Sequence, residues 1–135
     1  MSLDPVLPEH LMLIWSKIEE YVNSALEYSD GKFKSQDILK GCLAGDLLAW
    51  VVYNNKQIKG CFITELVQYP QSRRLNIMLL GGDDFKLIIS HLDRFKEWAR
   101  ANNADAIECS GRPGWERKLG GFGFNKIHTL LRLDL

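Results

Sequence analysis

Two stretches of this sequence carry residue types and spacing suited to holding a ligand. In the first, the apolar run Ile77-Met78-Leu79-Leu80 meets Gly81-Gly82, and Asp83-Asp84-Phe85 opens a segment with helical patterning. A helix N-terminus presents unpaired N–H groups and a partial positive charge, which suit a phosphate. Glycines let backbone approach a ligand closely. Asp83 and Asp84 also suit a helix start as capping residues, and their charge would repel a phosphate at close range. The second stretch is Gly111-Arg112-Pro113-Gly114-Trp115-Glu116-Arg117-Lys118. Its arginines could grip a phosphate or a carboxylate, and Trp115 could form a ligand lip or pack beneath its own helix.

Other reactive residue types are scattered. His10, His91 and His128 have no metal-ligand spacing, so the sequence predicts no metal site. Cys42, Cys61 and Cys109 are odd in number, far apart and without CxxC spacing, which argues against a zinc site or a disulfide framework. In their apolar contexts they read as small core residues of a reduced protein.

These residues must be positioned by the elements around them. Pro8 suits the first turn of a helix, and Leu11, Ile14, Trp15, Ile18, Val22 and Ala25 recur at helical spacing toward Tyr28. Ser35 is placed to cap a second helix, which Gly45 ends. Leu47 to Tyr53 and Gln57 to Val67 read as strands joined at Asn54-Asn55. After a turn at Pro70-Gln71-Ser72, Arg74 to Leu80 is a third strand, which Gly81-Gly82 breaks. A helix with the apolar stripe Phe85, Ile88, Ile89, Leu92, Phe95 and Ala99 follows. Ala106 to Ser110 is a strand parallel to the third, Trp115 to Leu119 a short helix, and Ile127 to Leu135 a last strand. The predicted order is αα-βββ-α-β-α-β, a mixed sheet with helices on both faces in an α+β (α/β) domain. Nothing is predicted from Met1-Ser2-Leu3.

Length and composition fit one domain spanning 1–135. Lys plus Arg and Asp plus Glu both number 17, for zero formal net charge. That balance disfavours a general electrostatic hold on nucleic acid or an anionic membrane. No apolar run approaches the roughly 20 residues of a membrane span, and no signal peptide is evident. The expectation is a cytoplasmic protein.

The order and the residues together resemble the GNAT acyltransferase superfamily over roughly residues 35–135. Within it the chain is similar to small GNAT-like proteins of phages and prophages, whose setting would be the host cytoplasm. The matching stretches are Thr64-Glu65-Leu66-Val67-Gln68-Tyr69-Pro70, Leu79-Leu80-Gly81-Gly82 and Gly111-Arg112-Pro113-Gly114-Trp115-Glu116-Arg117. The resemblance implies a cleft between two splayed strands that takes the pantetheine arm of acetyl-CoA. Ile77, Met78, Leu79 and Leu80 would line that arm, and Ala106 to Ser110 would be the second wall. Gly81, Gly82, Asp83, Asp84 and Phe85 would form the pyrophosphate loop, with Arg112 and Trp115 at its rim. The superfamily's loop pattern is R/Q-x-x-G-x-G/A; here the leading Arg or Gln is absent and two carboxylates follow the glycines.

The same resemblance implies a carboxylate that takes a proton from an amine and a hydroxyl that protonates the leaving thiolate. Glu65 and Glu108 are the candidate bases, though the alternation of strand faces reads each first as a solvent-facing strand residue. No tyrosine occupies the late helix, so Ser110 or Cys109 would stand in. Three functions follow as expectations: an acyl-CoA-dependent N-acyltransferase acting on a small amine or a protein amine; a catalytically inactive GNAT-fold binding or structural protein, of phage origin; and a nucleic-acid binder through Arg112, Arg117 and Lys118, which the net charge does not favour. A homo-oligomer is compatible with all three.

Overall fold

A computed structural model of the chain describes residues 2–135 apart from 83–85, 87–89 and 112. Its elements are β1 (Ser2–Val6), α1 (Pro8–Leu26), α2 (Ser35–Ala44), β2 (Leu48–Asn54), β3 (Gln57–Gln68), β4 (Arg73–Gly82), α3 (Leu92–Ala101), β5 (Ala106–Cys109) and α4 (Pro113–Gly120). The five strands form one sheet in chain order. β1 to β4 are antiparallel neighbours, and β5 lies parallel to β4.

Helices cover both faces, as patterning predicts. On one face α1 buries Leu11, Trp15, Ile18, Val22 and Ala25, and α2 buries Ile38 and Cys42; they close on Ala49, Cys61, Ile63 and Leu79. On the other, Phe95 and Ala99 of α3 and Leu119 of α4 close on Trp50, Val52, Phe62, Leu75 and Ile77. Phe95 meets Trp50 and Phe62 edge-on at 5.1 and 4.9 Å between ring centroids. Trp50 and Thr64 are both fully buried, and Trp50 Nε1 donates to Thr64 Oγ1 at 2.9 Å, so the indole reaches its partner inside the sheet. All three cysteines are free, Cys42 and Cys61 buried and Cys109 half-buried. Burial pushes the Cys42 thiol up to about 11 and raises those of Cys61 and Cys109.

Four local expectations are corrected. Lys34, not Ser35, occupies the cap position of α2, where its N–H donates to Asp37 Oδ2 at 2.9 Å. Ser2 to Val6, from which nothing was predicted, is an edge strand on β2 that buries Leu3. Its Pro5 lacks an N–H, which an edge strand tolerates. Gly81-Gly82 does not break the third strand: both glycines stay in β4, opposite Cys61 and Gly60. Ile127 to Leu135 forms no strand; residues 124–135 have no regular structure and leave Ile127, Leu130, Leu131, Leu133 and Leu135 exposed. Among the described residues the observed order is therefore β-αα-βββ-α-β-α. Among the described residues, no helix is long and apolar enough to cross a membrane.

Candidate functional site

The parallel pairing of β4 with β5 runs from Arg74↔Ala106 to Ile77↔Cys109 and stops there. β4 continues for five more residues, Met78, Leu79, Leu80, Gly81 and Gly82, with no described strand on that side. A β-bulge sits where the strands part. Ile63 lies opposite Leu79 and Thr64 opposite Ile77, which makes Met78 the extra residue. A bulge bends its strand and re-aims its side chains. Accordingly, Leu75 and Ile77 pack with α3, whereas Met78 and Leu79 pack with α1 and α2. Beyond that point Met78 to Gly82 has no described strand to answer its backbone donors and acceptors on the β5 side, and Cys109 and the exposed Ser110 lie where the two strands part.

Gly81 has a structural duty in that wall. A Cβ on it would lie 2.1 Å from the Tyr21 carbonyl oxygen and 2.8 Å from Tyr21 Cβ, so the bare backbone lets α1 press directly on β4. Tyr21 Oη in turn donates to the Ile58 carbonyl at 3.1 Å. Beside this contact a depression of about 300 Å³ is lined by Glu20, Tyr21, Ser24 and Gly82. Sequence reasoning singled out none of those three α1 residues, because only the packing of α1 on β4 brings them to Gly82.

The two candidate carboxylates come together on one sheet face. Glu65 is opposite Asn76 across β3 and β4, and Asn76 is opposite Glu108 across β4 and β5. Paired residues share a face, so the three form a polar row in which the carboxylate-bearing residues stand about 10 Å apart, two strand spacings. Their environments differ. Glu108 Oε1 accepts from Arg74 Nη1 at 2.6 Å, and this pair raises the guanidinium's already high pKa. Arg74 also lies 5.6 Å from the centre of the Tyr69 ring, and its Nε donates to Ser72 Oγ at 3.2 Å. Glu65 makes no ion pair among the described residues. The register behind this row is fixed at the start of β4. Arg73 N–H donates to Asp105 Oδ2 at 2.9 Å, Asp105 N–H donates to the Arg73 carbonyl at 2.7 Å, and Arg73 Nε donates to the Asn102 carbonyl at 2.9 Å.

The remaining sequence-predicted site residues divide by position. Trp115 packs against the α3-side core, and a Cβ on Gly111 would lie 2.2 Å from its ring, so the indole covers Gly111. Asp83, Asp84, Phe85 and Arg112, and the helix face at Ile88 and Ile89, lie outside the described residues. Among the described residues no three His, Cys, Asp or Glu side chains are placed to hold a metal ion.

No protein-family profile matches the sequence, and no curated protein matches it. Solved structures do match its three-dimensional form. A GCN5-related N-acetyltransferase from Ralstonia eutropha superposes with a TM-score of 0.69 at 11% identity, covering 98% of this chain and 97% of its own. A predicted acetyltransferase with acetyl-CoA from Clostridium acetobutylicum gives 0.67 at 14% identity, covering 98% and 95%. An aminoglycoside acetyltransferase from an uncultured soil sample gives 0.67 at 14% identity, covering 100% and 99%. The chain shares the fold of these acetyltransferases over essentially its whole length, beyond the stretch of roughly 35–135 to which the resemblance in sequence extended.

Proposed function

We propose that this protein is an acyl-CoA-dependent N-acyltransferase that moves an acetyl or related acyl group to an amine. The observation that carries this reading is the bulge at Met78 with the parting of β4 from β5 beyond Ile77 and Cys109. The acetyl-CoA complex of the Clostridium acetobutylicum protein, whose fold this chain shares, supports the choice of donor. The chain's own residues fit such a ligand. An amide-rich arm needs alternating donors and acceptors, and the open side of Met78, Leu79, Leu80 and Gly81 supplies them. Gly81, Gly82, Asp83, Asp84 and Phe85 are assigned to the phosphate end with Arg112, on the resemblance in sequence. Acetyl-CoA bound there would supply the acyl group as a thioester.

The geometry favours Glu65 as the base. Glu108 is tied to Arg74 at 2.6 Å, so its charge is already compensated, while Glu65 is open to an amine on the same face. Glu65 would take the proton that an attacking amine must lose, directly or through water. Asn76, between the two carboxylates, can orient that amine or water. Ser110, exposed just after β5, is the hydroxyl that would return a proton to the leaving sulfur. An acceptor would approach from the α1 side, past Glu20, Tyr21 and Ser24.

Titration calorimetry with acetyl-CoA tests the reading. Saturable binding is expected, and the absence of both heat and any melting shift at millimolar cofactor refutes it. With an acceptor amine in hand, Glu65→Gln is expected to lower kcat by about 100-fold or more while acetyl-CoA affinity is kept. A second reading, a GNAT-fold binding protein without catalysis, is favoured by the Asp83-Asp84 pair beside the expected phosphate position. Tight acetyl-CoA binding with no turnover against a broad amine panel would select it.

A further inference from the structure

We propose that the acceptor amine belongs to a free amino acid and that Arg74 selects it by taking its carboxylate, an inference that rests on the acyl-transfer reading. Arg74 and Glu108, on adjacent strands, form an ion pair at 2.6 Å with side chains 38% and 26% exposed. So open a pair adds little to stability, yet its guanidinium is held from several sides. Nη1 donates to Glu108 Oε1, Nε donates to Ser72 Oγ at 3.2 Å, and Cζ lies over the Tyr69 ring at 5.6 Å from its centre. Tyr69 and Ser72 come from one turn, which the Tyr69 N–H closes by donating to the Ser72 carbonyl at 2.7 Å. Ser72 Oγ also donates to Asp105 Oδ2 at 3.3 Å, and the same oxygen accepts from the Arg73 N–H, so that carboxylate is spent on holding the turn. Nη2 of Arg74 has no hydrogen-bond partner among the described residues. An arginine fixed in this way presents its remaining N–H groups in a set direction, which is what recognition of a carboxylate requires.

The place of this guanidinium fits an amine at Glu65. Arg74 lies opposite Val67 and Asn76 opposite Glu65, so Arg74 and Glu65 share one sheet face on the diagonal between β3 and β4. Diagonal neighbours of this kind stand ~7–8 Å apart. A hydrogen bond of ~2.8 Å at each end leaves about 2–3 Å between the two polar groups of a molecule bound there. That gap suits the amine and carboxylate of an α-amino acid, whereas a bare monoamine leaves Arg74 unused. The face is open at this point: Glu65, Val67, Arg74 and Asn76 are all partly exposed, and Val67 belongs to neither apolar cluster of the core. It also adjoins the parted strands, since Asn76 precedes Ile77, the last residue of β4 paired with β5. The charges complement a zwitterion. Glu65, without an ion pair among the described residues, meets the ammonium, and Arg74 meets the carboxylate.

Two measurements test the proposal, the first without any acyl donor. The common L-amino acids, each against its own α-amide, are titrated into isotope-labelled protein and followed by NMR. At least one amino acid is expected to shift the Arg74 Nε–H signal and the Glu65 and Asn76 amides, and its amide, which lacks the carboxylate, to bind roughly tenfold more weakly or worse. Arg74→Gln is expected to abolish that difference, and Arg74→Lys, which keeps the charge without the fork, to retain part of it. The second measurement is turnover with acetyl-CoA, read as free thiol. The same amino acid is expected to exceed its amide about tenfold or more in kcat/KM, mainly through KM. Equal handling of acid and amide, or an Arg74→Gln defect that weakens both alike, means that the arginine only braces the sheet and overturns the proposal. Turnover of simple monoamines with none of any amino acid overturns it and leaves the acyltransferase reading standing. Arg74-dependent amino-acid binding by a protein that neither binds nor consumes acetyl-CoA overturns the acyl-transfer reading, and the acceptor role with it, while the carboxylate site at Arg74 stands.

Discussion

Adding one methyl group at Gly81 should push α1 off the sheet. The new Cβ would stand 2.1 Å from the Tyr21 carbonyl oxygen, 2.5 Å from its carbon and 2.8 Å from Tyr21 Cβ. Two of those atoms are backbone of a 19-residue helix, so no rotamer change relieves them. Restoring ordinary contact needs about 1 Å of withdrawal. A gap of that size forfeits a quarter to a half of each dispersion contact it opens, and α1 is seated by Leu11, Trp15, Ile18, Val22 and Ala25. Overpacking of this kind costs about 1–3 kcal/mol, and the rigid backbone partners put Gly81→Ala near the upper end, about 3 kcal/mol. For a chain of this size that corresponds to a fall of roughly 10 °C in melting temperature. Urea unfolding and a thermal melt read both quantities. Gly114→Ala is the control: its Cβ would meet nothing within 4 Å, and in α4 it should be neutral or stabilising by up to ~1 kcal/mol. A Gly81→Ala loss below about 0.5 kcal/mol would refute the packing argument, because it would mean that α1 yields at almost no cost.

Two further predictions concern groups buried at the sheet and its rim. Thr64→Val leaves the fully buried Trp50 indole N–H without its 2.9 Å partner and should cost about 1–3 kcal/mol in urea unfolding; a loss recovered in part by adding Trp50→Phe identifies the orphaned donor as the cause. His91 is buried with Nε2 lacking a hydrogen-bond partner among the described residues, and burial lowers its pKa below the ordinary 6.5. The unfolded chain therefore binds this proton more readily than the folded one, so the imidazole's contribution is present above pH 6.5 and is lost as pH falls through the lowered value. Stability measured from pH 8 down to about 5 should decline more steeply in the wild type than in His91→Gln, and identical slopes would refute the assignment.

Much of the fold is legible because local chemistry and tertiary demand agree. Pro8 opens α1, and the stripe from Leu11 to Ala25 is its buried face. Gly45 ends α2 in the left-handed conformation at φ 83°, and Asn55 takes φ 58° between β2 and β3, as its side chain permits. The site is less legible. Glu65 and Glu108 can be singled out by type, but nothing local says that they share a face with Asn76 between them. That follows from two strand registers, one of which the Arg73–Asp105 bonds set across 32 residues of chain.

Sequence by itself determined the helices, the hairpin turn and the mixed character of the sheet, because each depends on side-chain period or on φ preferences within a few residues. Tertiary structure decided the rest. Ser2 to Val6 has no strand pattern and becomes β1 because the edge of β2 needs a partner. Gly81-Gly82 reads as a break but continues β4, and Gly81 is required by the approach of Tyr21 and not by a turn. Ile127 to Leu135 has a strand's pattern and forms none, because a strand exists only where another backbone answers its hydrogen bonds. The parting of β4 from β5 arises from the extra residue at Met78 and the end of β5 at Cys109, two facts of pairing that no single segment encodes.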